Sequence, residues 1–193
     1  GAGLVIGAHL PAAVTPAFAQ RADSAAPGNF TPFIEIRPDN SVVVLSKHLD
    51  KGQGVATGLA TLVAEELDAD WAQVVPAFAP ANAALYKNLF FGVQGTGGSP
   101  AIANSWEQYR KAGASARAML VAAAASAWGV KPEDVKVEKG IVSSGNRKAT
   151  FGELSAAAAK LPVPENPKLK SPAEFKLIGK SAPRLDTAAK ARG

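Results

Sequence analysis

The chain has 193 residues, a mass of 19.7 kDa and a formal net charge of +5, and forty of its apolar residues are Ala. That length accommodates one domain with a real core, and the larger apolar residues are numerous enough to exclude a disordered chain. There is no Cys, which excludes disulfides, thiolate zinc sites, cysteine-ligated iron–sulfur clusters and a Cys nucleophile within this sequence. The two His, at 9 and 48, leave little room for a metal site built on histidines.

Charge is unevenly placed. Residues 131–193 carry thirteen Lys or Arg against seven Asp or Glu, whereas residues 1–130 carry eight against nine. An excess confined to the last third fits a solvated surface, an arm that docks on an acidic partner, or a nucleic-acid tail. The nucleic-acid reading is the weakest, because the region lacks interleaved aromatics and runs of like charge.

In chain order, residues 1–29 are expected to be an export-signal remnant and linker. Gly1 to Ala19 has no charged side chain, Leu4-Val5-Ile6 opens an apolar stretch, and Ala17-Phe18-Ala19 is an A-x-A cleavage pattern. Weak hydrophobicity with several Gly suits twin-arginine export and a periplasmic location, and an Ala-rich arm is the other reading. Phe33–Ile36 and Ser41–Lys47 are β-rich runs around the turn signal Pro38-Asp39-Asn40. Gly52-Gln53-Gly54 precedes a helix with Leu59, Leu62, Val63 and Leu67 on its apolar face and Glu65, Glu66, Asp68 and Asp70 mostly outward. Gln73–Phe78 is a further strand.

A loop from Pro80 to Pro100 contains Gly95-Thr96-Gly97-Gly98-Ser99 and Phe90-Phe91, which reads as a loop anchor in the core ahead of the lining of a substrate funnel. The spacing then predicts a long Ala-rich helix from about Ala103 to Trp128, buried along Trp106, Tyr109, Gly113 and Leu120 and ended by Gly129. Strands are expected over Asp134–Val137 and Gly140–Ser143, with a hairpin turn at Ser144-Gly145-Asn146. Thr150 to Glu153 has capping-box spacing and opens a short helix through Lys160. Pro recurs at 162, 164, 167, 172 and 183, so residues 162–193 read as an extended tail lying over something else. The fold class is α+β: a mixed sheet of short strands and two main helices, each opened by a Gly-rich loop.

The two glycine loops are the chemical signal. Helix N-termini present free N–H groups and partial positive charge, and glycines let a ligand approach the backbone. Together they point to a many-acceptor or polyanionic ligand held by backbone amides, with Gln53 able to donate and accept. No P-loop is present, and Pro100 breaks a dinucleotide fingerprint at Gly95–Ser99. His48 reads as structural rather than catalytic, and Trp106 and Trp128 as core.

Asp50-Lys51-Gly52-Gln53-Gly54 with Thr57 and Ala64-Glu65-Glu66-Leu67 resembles the GQG segment of xanthine dehydrogenase-type molybdenum hydroxylases. Thr96-Gly97-Gly98-Ser99 before a small-residue helix resembles their next cofactor-contacting segment. Ile102-Ala103-Asn104-Ser105-Trp106-Glu107, Ile178-Gly179-Lys180 and Pro183-Arg184-Leu185-Asp186 are similar to the large molybdopterin-binding subunit of isoquinoline 1-oxidoreductase and related bacterial aldehyde dehydrogenases. The resemblance covers residues 30–193 and divides them into a partial molybdopterin-binding domain, 30–161, and a tail leading toward a further domain. It implies an oxidoreductase that hydroxylates an aldehyde or N-heterocycle with water as oxygen source. It also implies molybdenum held by a pterin, in the cytosine dinucleotide form, and [2Fe-2S] clusters in a small partner subunit. The remainder of the large subunit and a cytochrome c acceptor are further implied partners. By the same resemblance Gly52, Gln53, Gly54, Thr96, Gly97, Gly98 and Ser99 bind the cofactor, no metal ligand or catalytic residue lies in this chain, and the catalytic base lies elsewhere. Relatives place a hydroxyl residue where Ala101 stands, which leaves only the backbone at that position. An exported phosphate- or nucleotide-ligand binding module is the alternative.

Overall fold

The computed structural model describes residues 29–192, so the expected export segment lies, apart from Asn29, outside the described residues. Four short strands form one mixed sheet in the order β1-β2-β3-β4: β1 (Asn29–Thr31), β2 (Ile34–Ile36), β3 (Val42–Ser46) and β4 (Val74–Phe78). β2 and β3 are the expected hairpin, and Asn40 takes the left-handed conformation in its turn, with φ 67°. β3 and β4 are parallel, Val42 opposite Val74 through Ser46 opposite Phe78, joined by the crossover helix α1 (Val55–Leu67). Ala79 donates to the Ser46 carbonyl, so alternate residues of β4 face β3 and Pro76 lies on the outer edge, where no N–H is needed.

After β4 come a short helix α2 (Ala83–Tyr86) and the long helix α3 (Trp106–Trp128). A second sheet, β5-β6-β7, is antiparallel: Lys136–Glu138, Ile141–Ser144 and Arg147–Thr150. Helix α4 (Phe151–Ala158) follows, and a final helical turn, α5, spans Thr187–Lys190. α3 packs on α1, on both sheets and on α4, so it ties the molecule together. At its crossing with α1 the backbones come so close that a Cβ on Gly113 would sit 2.6 Å from the Val63 carbonyl oxygen. Leu59, Leu67, Met119, Leu120 and Phe151 are fully buried in the core, each contributing about 1.5–3 kcal/mol by leaving water. The Tyr109 hydroxyl, buried in the same core, donates to the Leu45 carbonyl (2.7 Å) and accepts from the Lys47 N–H (2.9 Å), which fixes the end of β3.

The α+β class and the capping box hold: Glu153 Oε2 accepts from the Thr150 N–H, and the Thr150 hydroxyl from the Glu153 N–H. The second glycine loop does not open α3 directly, because tight turns over residues 100–105 intervene before the cap residue Ser105. Trp106 is 37% exposed rather than core.

The outward placement of Glu65, Glu66 and Asp68 is corrected by the structure. All three are buried, Glu65 and Glu66 to 1% exposure, because the tail runs over them. Glu65 Oε2 accepts three consecutive N–H groups, from Lys176, Leu177 and Ile178, and Oε1 meets Lys170 Nζ at 3.0 Å. Glu66 pairs with Arg110, at 2.6 Å, and accepts from the Lys170 N–H. The Arg110 guanidinium stacks between Trp106 and Phe175. Asp68 gathers Lys170, Lys176 and Arg117. The basic tail docks on acidic groups of its own chain.

Candidate functional site

Both glycine loops sit at the C-terminal end of β3, where open parallel sheets place ligands. Leaving β3, the chain turns through residues 49–54 into α1, with φ of 103° at Gly52 and 84° at Gly54, the N-cap. Asp50 organises this loop. Its side chain is nearly inaccessible; Oδ1 accepts from the Gly52 N–H (2.8 Å) and Oδ2 from the Ala56 N–H (3.0 Å). An internal carboxylate therefore already fills the positive N-terminus of α1.

Gln53 folds back into the same loop, its oxygen accepting from the Lys51 N–H (2.5 Å) and its amide donating to the Leu49 carbonyl (2.8 Å). The tail closes the loop from outside: Lys190 Nζ lies 2.9 Å from Asp50 Oδ1, and Arg184 donates to the Gly52 carbonyl and pairs with Asp186. Burial pushes the Asp50 carboxyl upward, but the Lys190 ammonium and the two N–H donors override it and hold the group below its ordinary range. The Arg184 guanidinium, against the opposing effect of burial, holds Asp186 lower still.

His48 clasps the two loops together. Its ring is 1% exposed, with Nδ1 3.2 Å from the Gly95 carbonyl and Nε2 3.3 Å from the Asn104 amide nitrogen. Burial and the neighbouring Lys47 lower its pKa, so the imidazole is neutral, donating from Nδ1 and accepting at Nε2. The Leu49 N–H donates to the Thr96 hydroxyl at 2.9 Å, a second tie. Residues 48–49 and 95–96 are thus joined, which brings the stems of the two loops together. Asn104 also donates to the Pro100 carbonyl and accepts from the Leu89 N–H. Its bridging role leaves no periodic trace in the sequence, where it stands only as part of the stretch that resembles the isoquinoline-type subunit.

The two loops differ in what they leave free. Among the described residues, the N–H groups of Thr96, Gly97, Gly98 and Ser99 have no hydrogen-bond partner. Gly98 and Ser99 both have positive φ, 67° and 62°, and for Ser that conformation costs about 1–2 kcal/mol. A Cβ built on Gly52, Gly95 or Gly97 would meet nothing within 4 Å. The second loop therefore presents a row of approachable donors, which fits an oxygen-rich, anionic group. The first presents glycine backbone, with its side-chain amide already engaged.

Residues 8–190 match the family profile described as the molybdopterin cofactor-binding domain. The chain belongs to that family. It is 30% identical over 207 residues to the membrane-bound aldehyde dehydrogenase (pyrroloquinoline-quinone) of Gluconacetobacter polyoxogenes, an alignment covering 100% of this chain and 25% of that protein. The beta subunit of the isoquinoline 1-oxidoreductase of Brevundimonas diminuta is 37% identical over 137 residues, 69% of this chain and 17% of that one. A subunit of the nicotinate dehydrogenase of Pseudomonas putida is 33% identical over 163 residues, 83% and 13% respectively. The crystal structure of quinoline 2-oxidoreductase from Pseudomonas putida 86 aligns with a TM-score of 0.49 and 24% identity over 67% of this chain and 16% of that one. The chain spans a quarter or less of the curated relatives it matches.

Proposed function

We propose that this molybdopterin-binding domain forms part of the pterin–molybdenum site of an oxidoreductase that hydroxylates an aldehyde or an N-heterocycle with water as oxygen source. The observation that carries the reading is the row of N–H groups from Thr96 to Ser99, unpartnered among the described residues and set in a stretch, residues 88–106, without a charged side chain. These groups would hold acceptor oxygens of the pterin or its phosphates, in the cytosine dinucleotide form. Gly52 and Gly54 would shape the neighbouring wall, and Gln53 would face the cofactor with the loop that its amide now braces. When bound, the pterin-held metal supplies a two-electron acceptor.

This chain's residues bind, orient and exclude water. His48 has both ring nitrogens engaged and holds the loops rather than a proton in transit. The base is expected on the remainder of the subunit, and [2Fe-2S] clusters on a small partner, since this chain offers no thiolate. The names of the isoquinoline and nicotinate relatives, each a subunit, support an assembly of several chains. A cytochrome c acceptor and twin-arginine export to the periplasm complete the proposal.

Gly97→Val tests it. A Cβ there meets no protein atom within 4 Å, so the branched side chain projects into open space and obstructs the ligand's path to the loop. Pterin content of the natively purified assembly should fall at least tenfold, with the variant chain recovered in the assembly at the wild-type level. Full pterin occupancy in the variant overturns the assignment.

A further inference from the structure

The bonds between His48 and the second loop close with one proton arrangement. The Asn104 amide is oriented by its backbone partners: Nδ2 donates to the Pro100 carbonyl at 2.6 Å, and Oδ1 accepts from the Leu89 N–H at 3.4 Å. The atom it turns toward His48 Nε2, at 3.3 Å, is therefore a donor. Nε2 must accept, and the ring's single proton sits on Nδ1, 3.2 Å from the Gly95 carbonyl. A second proton, on Nε2, sets N–H against N–H. Turning the Asn104 amide over to offer its oxygen would break the Pro100 and Leu89 bonds together. His48 is 1% exposed and Asn104 6%, so no bulk water stands ready to take up the lost bond.

No opposite charge offsets such a proton. Lys47, next in the chain, bears on the ring with the same sign. Residues 88–106, which supply Gly95 and Asn104, hold no charged side chain, and neither do β4 and the first two turns of α1. Asp50 is engaged with the Gly52 and Ala56 N–H groups and Lys190. On α3, Glu107 pairs with Lys111 and Arg110 with Glu66. We propose that His48 and Asn104 form a proton-sensitive brace that positions the Gly95–Ser99 loop: the neutral imidazole holds the loop at the end of β3, and protonation of the ring releases it. Both are positioning residues, acting through the backbone at Gly95 and Pro100. The Leu49–Thr96 bond beside them has no titratable group, so protonation loosens the joint without severing it. The inference rests on the pterin reading, because the loop it positions is the one assigned to the cofactor. Burial and Lys47 lower the ring below its ordinary value of 6.5, so the brace is intact above that pH and weakens as pH falls from it toward the folded value.

The experiment follows hydrogen exchange in the native assembly from about pH 7 to about pH 5, each rate taken relative to the intrinsic rate at that pH, with pterin assayed on the same samples. Protection of the Leu49 and Leu89 amides, which donate into the joint, should fall at least about fivefold while residues 170–190 stay flat. His48→Gln, which offers an acceptor but does not titrate, should show no step. Lys47→Met, which removes the like charge beside the ring, should shrink the step and serves if His48→Gln does not assemble. A wild-type profile without a step, an equal step in His48→Gln, or an undiminished one in Lys47→Met overturns the brace. A step that depends on His48 in an assembly without pterin overturns the functional reading and leaves the brace standing.

Discussion

The tail and the loop face are opposites. From Lys170 to Lys190 the chain is charged, and Lys170, Lys176, Arg184 and Lys190 find partners in Glu65, Glu66, Asp68, Asp50 and Asp186. From Asn88 to Trp106 the chain is uncharged, its largest side chains stand in solvent, and four successive N–H groups are unpartnered. A segment that looks built for another molecule is held internally, and one that looks like core faces outward. Charge excess identifies what a segment needs but not whose groups supply it.

The comparison breaks first at Glu65. Glu65→Ala removes a buried carboxylate that serves three N–H groups and Lys170, and should cost about 3–5 kcal/mol, read from the denaturation midpoint, with new proteolysis across residues 165–180. An unchanged midpoint would show that the tail is held by packing alone. Acid should release the same segment. Burial raises the Glu65 carboxyl, but the Leu177 and Ile178 N–H groups and Lys170 outweigh it, so Glu65, like Asp50 and Asp186, is held below its ordinary value. A depressed folded pKa gives stability present above the unfolded values of 4.5 and 3.8 and lost as pH falls below them. The protection of amides in residues 170–190, taken relative to the intrinsic exchange rate at each pH, should therefore fall below about pH 4 and be flat from about pH 5 to 7.

Lys190→Met should barely move the denaturation midpoint, because Lys190 is half exposed and solvent screens its pairs, yet it should speed exchange at Gly52 by releasing Asp50. Unchanged exchange at Gly52 would show that the tail does not brace the first loop. The smallest effect sharpens the contrast. Phe90→Ser combined with Phe91→Ser should change the chain's own stability by less than about 0.5 kcal/mol, since neither ring is core. A large loss would make the face part of this domain's core.

Local rules reached the local features. The Thr150 box, the Gly129 stop, the β2–β3 hairpin and the apolar stripe of α1 follow from residue spacing, and Gly113 follows from the small-residue face it sits on. β7 carries Arg147 and Lys148 and shows no strand-like apolar alternation, so only the turn before it was legible. Glu65 and Glu66 stand where helical periodicity assigns solvent, and what covers them lies over a hundred residues later. At the site, the glycines were legible as glycines. That Asp50 fills the helix N-terminus, that Gln53 turns inward and that His48 joins the loops are products of tertiary placement.

The most direct measurement is metal and pterin analysis of the natively purified assembly containing this chain, with every subunit identified by mass spectrometry. One molybdenum and one oxidisable pterin per chain, together with the remainder of the subunit and an iron–sulfur chain, is the expected result. An assembly that carries this chain at full occupancy with a quinone, or with no pterin, would contradict it.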